Sequence, residues 1–293
     1  MEIQESHERI RIQWLRGGED LDLNDPLIFL ILGRRGGGKS VLLESLGEAY
    51  LESSHNVLDL FGSSDGEGLA WLRSPWVKES DLPVLLVCGE HVKISSKWPS
   101  KPWTQLSLQD FEDNRIVISS TPLYGGDKGE EFGAAGRILD ILFQRGAAGW
   151  SKKIYVIIRE ASDLFYSRVK LRATQKDSKA VAIYLMRESR HHGLALGLDS
   201  QKLTSVDSDF RQQTDYLILK AMGIDSLPDD LKFTYRYLDP IWLRAMKPWE
   251  FGVIAGKGAL GLGVNVLNPW HKRDREHILG ALGIHVEKVE AGP

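Results

Sequence analysis

Gly33-Arg34-Arg35-Gly36-Gly37-Gly38-Lys39-Ser40 is a G-x-x-x-x-G-K-[ST] string, and its neighbours on both sides make it decisive. Before it runs Leu27–Leu32, apolar throughout. After it runs Val41–Ser54, where Leu42, Leu46, Ala49 and Tyr50 recur at helical spacing. Strand, glycine loop and helix in that order form the context in which the string binds phosphate. Glycines let successive N–H groups turn inward toward phosphate oxygens. Lys39 then reaches the β- and γ-phosphates, the Ser40 hydroxyl suits Mg²⁺, and the positive end of the helix adds to anion binding. The expected ligand is ATP with Mg²⁺, held by Gly33, Arg34, Arg35, Gly36, Gly37, Gly38, Lys39, Ser40 and Val41.

Outward from the loop, further apolar runs read as strands: Asn56–Phe61, Val84–Cys88, Arg115–Ser119, Ile154–Ile158, Leu194–Asp199 and Asp215–Lys220. Several are unbroken Val/Ile/Leu stretches, the pattern of strands covered on both faces. Helical patterns at Glu131–Gln144 and Ala180–Arg190 lie between them. This alternation predicts an α/β domain on a mostly parallel sheet. Glu250–Ala255 and Ala259–Val266, joined across Gly256-Lys257-Gly258, predict a C-terminal β-hairpin. Expected boundaries are an N-terminal extension over 1–25, a core domain over 26–270 with an irregular insertion near 62–110, and a tail over 271–293. Ile10–Trp14 is a candidate edge strand, and the tryptophans of the insertion read as packing residues.

The chain has 293 residues, 42% hydrophobic and 26% charged, which excludes wholesale disorder and coiled-coil readings. A single cysteine, Cys88, excludes an intramolecular disulfide framework. No run approaches membrane-spanning length, and the charged N-terminus lacks the apolar centre of a signal peptide. The expectation is a soluble cytoplasmic protein. Net charge is −3, yet Ser151–His192 holds ten basic against four acidic residues, so the rest of the chain carries −9. Such asymmetry fits one face meeting a polyanion, and it fits ordinary helix surfaces as well.

A loop of this kind works with a second strand that ends in acids. Ile154-Tyr155-Val156-Ile157-Ile158-Arg159-Glu160 supplies one, with Glu160 placed to polarise the attacking water and to face Mg²⁺ through water. The preceding position, normally an acid, is Arg159, which cannot ligate a cation. Asp59 and Asp163 are further carboxylates that could act through water. Gln201, just past a strand end, points toward the crevice where α/β sheets bind ligands. Arg190 is a candidate transition-state arginine, acting across a subunit boundary. Arg168, Lys170, Arg172, Lys176 and Lys179 form a basic stretch suited to DNA phosphates.

Taken together, GRRGGGKS, IYVIIREASDLF and RHHGLALGLDSQ resemble the HerA/FtsK superfamily of P-loop ATPases. The likeness runs from about Pro26 to Val266. Arg159 departs from the acid pair expected there. The resemblance implies a RecA-like fold and a hexameric ring that hydrolyses ATP to pump double-stranded DNA. The near-bare core looks most like a viral genome-packaging ATPase, with a virion or portal component as partner and a virion-associated location if the chain is viral. A plasmid-borne motor would look similar, and the alternative is a switch protein that binds ATP with little hydrolysis.

Overall fold

The computed structural model describes residues 9–18, 21–147, 152–164, 175–223, 229–268, 270 and 278–289. Its strands are β1 (Ile10–Arg16), β2 (Ile28–Leu32), β3 (Asn56–Leu60), β4 (Val84–Cys88), β5 (Val92–Ser95), β6 (Ser100–Pro102), β7 (Ile116–Ser119), β8 (Ile154–Ile158), β9 (Leu194–Ser200), β10 (Tyr216–Leu219), β11 (Glu250–Ala255), β12 (Leu260–Asn265) and β13 (His285–Lys288). Eleven of them form one sheet in the order β1-β12-β11-β10-β2-β9-β8-β3-β7-β4-β6. From β10 to β6 every pairing is parallel. The other edge is antiparallel: the expected hairpin, β11 with β12, joins β10, and β1 closes it against β12. Each apolar run read as a strand becomes one, with ends shifted by no more than a residue or two.

The continuous apolar runs follow from alternation across the sheet. Ile28, Leu30 and Leu32 point to one face, where they pack with Phe132 and Ile138 of the helix Lys128–Ala147 and Met186 of the helix Gln175–Glu188. Phe29 and Ile31 point to the other, against Leu42, Leu43 and Leu46 of helix α1 (Lys39–Glu52). Both faces of β2 are dry, so its backbone is fixed on either side and the loop that follows it starts from a rigid base.

The stretch expected as an irregular insertion contributes β4 to the main sheet, and its β5 pairs with β13 of the C-terminal tail in a second, two-stranded sheet. Trp71 there is fully buried, its ring 4.9 Å from that of Trp270. No helix among the described residues is long and apolar enough to cross a membrane.

Candidate nucleotide site

The loop Gly33–Ser40 leaves the end of β2 and enters α1 at Lys39. Its shape is set by neighbours. The Gly33 amide donates to the Ser200 carbonyl at 3.2 Å, and the Arg34 amide to the Ala221 carbonyl at 2.8 Å, so the ends of β9 and β10 hold its base. Gly36 and Gly38 lie at φ 74° and 87°, conformations that favour glycine. At Gly38 space also forbids a side chain: a Cβ would come within 2.2 Å of the Pro248 carbonyl oxygen. Arg34 and Arg35 extend into solvent, Ser40 and Val41 sit half-buried in the first turn of α1, and Lys39 is 7% exposed.

Lys39 Nζ lies 3.6 Å from Asp199 Oδ2, near the end of β9. Asp199 Oδ1 accepts the Glu160 amide at 2.6 Å. One buried carboxylate thus links the loop lysine to the residue after the second strand. Glu160 is half-buried at φ 49°, an unusual backbone for a glutamate, and such strain clusters at functional sites. Burial pushes its carboxyl above the usual range, Asp199 adds to this, and Lys39 opposes it. Burial likewise raises Asp199, again with Lys39 opposing. Sequence reading passed over Asp199, although an acid inside an otherwise apolar strand, beside the strand that launches the loop, is a signal for it. Gln201, one residue beyond β9, is exposed next to the base of the loop.

Arg159 is buried among carboxylates. Its guanidinium is 1% exposed and lies between β3 and α1. Nε donates to Asp59 Oδ1 at 2.8 Å, and one terminal nitrogen donates to Asp59 Oδ2 at 2.6 Å and to Glu44 Oε1 at 2.8 Å. Trp71 Nε1 donates to the same Asp59 Oδ2 at 2.9 Å. Both oxygens of Asp59 are therefore engaged and the residue is fully buried, which corrects the expectation that Asp59 serves a cation through water. Asp163 stands in the turn after Glu160, its amide donating to the Glu160 carbonyl at 2.7 Å. Ser40 Oγ, the expected Mg²⁺ ligand, donates to Glu67 Oε2 at 3.2 Å. A hydroxyl with a carboxylate beside it is the oxygen donor set that Mg²⁺ takes, so these residues fit the ion.

Arg190 is not brought to this site. It pairs with Asp215, whose other oxygen accepts the amide of Ile28, the first residue of β2. The loop leaves the far end of that strand, so about 13 Å of sheet separates the two at ~3.3 Å per residue. Arg190 is 67% exposed at that opposite edge. Of the basic stretch, Arg168, Lys170 and Arg172 lie outside the described residues, as does the side chain of Lys176. Lys179 forms an ion pair with Asp207 at 2.7 Å.

No protein-family model and no curated protein matches the sequence. Solved structures do match in fold. The genome-packaging NTPase B204 of Sulfolobus turreted icosahedral virus 2, in complex with ATP-γS, is 16% identical over 84% of this chain and 100% of its own, at a TM-score of 0.48. The pCW3 conjugation coupling protein TcpA with ATPγS is 17% identical over 88% of this chain and 66% of its own, at 0.50. EccC of Thermomonospora curvata (ATPases 2 and 3, with a signal sequence peptide) is 13% identical over 89% and 42%, also at 0.50. With its glycine loop between β2 and α1 and its largely parallel sheet, the chain shares the P-loop α/β fold of these structures.

Proposed function

We propose that this chain is an ATPase that converts ATP hydrolysis into movement of double-stranded DNA, working as a ring of identical subunits, in genome packaging or in transfer of a mobile element. The observation that supports it best is the line Lys39–Asp199–Glu160 beside the glycine loop. Lys39 leans on the buried carboxylate of Asp199. A triphosphate in the loop offers Lys39 a stronger anionic partner, and Asp199 is then left to the Glu160 amide. Glu160, raised by burial, is suited to orient water and take its proton as that water attacks the γ-phosphorus. Gln201 would hydrogen-bond a γ-phosphate oxygen. Ser40 is the side chain that would hold Mg²⁺, which when bound would supply neutralisation of phosphate charge. The basic stretch Arg168, Lys170, Arg172, Lys176 and Lys179 would meet DNA phosphates without reading sequence.

The test is ATP turnover with and without duplex DNA across a salt series, with particle size measured alongside. DNA should stimulate turnover, steeply less so as salt rises. Lys39→Ala should abolish it, and Glu160→Gln should bind ATP yet cut turnover by roughly 100-fold or more. Turnover unchanged in Glu160→Gln refutes the catalytic assignment. Arg159 in the usual acid position favours a second reading, a switch protein that holds ATP and hydrolyses little. Nucleotide binding with no turnover, even with DNA and Mg²⁺ present, would select it.

A further inference from the structure

We propose that Glu67 supplies the carboxylate that faces nucleotide-bound Mg²⁺, in place of the acid missing at position 159, and that Arg159 holds it there as a positioning residue. The inference rests on the reading of the loop as an Mg-ATP site. Glu67 opens the short 3₁₀ helix Glu67–Arg73, in the connection between β3 and β4, and so reaches the site from outside the two strands that ordinarily form it. Its side chain is 27% exposed, whereas Asp59 and Glu44 are closed off from solvent. Its Oε2 lies 3.2 Å from Ser40 Oγ. Two adjacent ligands of an octahedral Mg²⁺, each at 2.0–2.1 Å, stand about 2.9 Å apart, so the hydroxyl and the carboxylate need close by only a few tenths of an ångström.

Arg159 explains how the carboxylate is kept at that spot. The guanidinium is locked by Asp59 and Glu44, and its remaining nitrogen, Nη1, is buried with no hydrogen-bond partner. That nitrogen lies 3.6 Å from the Glu67 oxygen that accepts from Ser40. At this distance the charge attracts the carboxylate without forming a short hydrogen bond to it, so the oxygen can still turn to a cation. Three carboxylates converge on one guanidinium.

A fluorescent ATP analogue, titrated in excess Mg²⁺ and again in EDTA, tests this on the full chain, with Mn²⁺ electron paramagnetic resonance in the presence of ATP-γS as a direct count of bound cation. The wild type should bind the analogue more tightly with Mg²⁺. Glu67→Gln should keep the EDTA affinity within about twofold and lose most of the Mg²⁺ enhancement, with Mn²⁺ affinity falling roughly tenfold or more. Glu67→Asp should recover part of both. The Gln variant is isosteric at a partly exposed position, and matching thermal melts would confirm that it folds. An Mg²⁺ enhancement and an Mn²⁺ affinity in Glu67→Gln equal to those of the wild type overturn the proposal while leaving the loop reading intact. Equal affinity of the wild type with Mg²⁺ and with EDTA overturns it in favour of Arg159 serving as the cation. Failure of the wild type to bind in either condition overturns the loop reading and this inference together.

Discussion

Burying a guanidinium is costly unless partners meet it closely, and at position 159 they do so with fixed geometry. Removing one partner should therefore be far worse than never having the pair. Asp59→Ala should lower stability by on the order of 3–5 kcal/mol in urea unfolding, while the apolar triple change Asp59→Leu, Arg159→Met and Glu44→Leu, which removes both carboxylates together with the guanidinium, should recover much of that loss. A small effect of Asp59→Ala would mean that Glu44 alone suffices. At this scale the sequence displayed half of the arrangement. Arg159 and Glu160 were legible because they are contiguous with a strand whose type is plain. Glu67 was not, since it sits in a stretch without periodicity and comes near Ser40 only when the fold is closed. Asp59 announced itself as an acid in the apolar run Asn56–Leu60, but only pairing of β3 with β8 makes it the neighbour of Arg159.

Among the elements, the segment entering β11 matters most to the loop. Lys220, buried after β10, donates to the Pro248 carbonyl at 2.7 Å and to Asn265 Oδ1 at 2.9 Å, and its ammonium lies 5.5 Å from the Phe251 ring centre. It thereby ties the hairpin to the residue that packs on Gly38. Burial pulls its pKa down to about 7. Its unfolded value is near 10.5, so between these pH values the unfolded chain binds more protons, and stability must rise as pH increases. Between pH 7 and 8, where the Cys88 thiol of the unfolded chain has only begun to ionise and its tyrosines have not, the gain should be about 1 kcal/mol and should vanish in Lys220→Met. Chemical denaturation at several pH values reads it directly. The same packing separates two glycines that the motif treats alike. Gly36→Ala meets open space and only backbone strain, about 1 kcal/mol, whereas Gly38→Ala must also displace the Pro248 carbonyl. Thermal melts should show the second as clearly the more damaging, with loss of nucleotide binding. Strands and helices were readable from their periodicity because β2 and its neighbours are dry on both faces. The pairing of β5 with β13 was not, since both are short and partly solvated and their partnership spans most of the chain.

Over the whole molecule, the catalytic candidates divide between two edges of one sheet. Lys39, Glu160 and Gln201 gather where the parallel strands end, and Arg190 stands where they begin. Its ion pair with Asp215 is largely exposed and contributes little to stability, about 0–1 kcal/mol. If subunits stack edge to edge in a ring, Arg190 is free to enter a neighbour's site. Arg190→Ala should then bind ATP normally and turn it over poorly, and mixing it with Lys39→Ala protomers should restore activity that neither has alone. No recovery on mixing would leave Arg190 with a structural role only.

The ion cluster behind Ser40 also limits how the chain can change. Exchanging Arg159 for the acid usual at that place would set a new carboxylate against Asp59 and Glu44 in a dry interior, where like charges repel with little screening. An acid at position 159 is therefore compatible with this interior only if Asp59 changes with it, so the two positions are coupled through one buried charge balance.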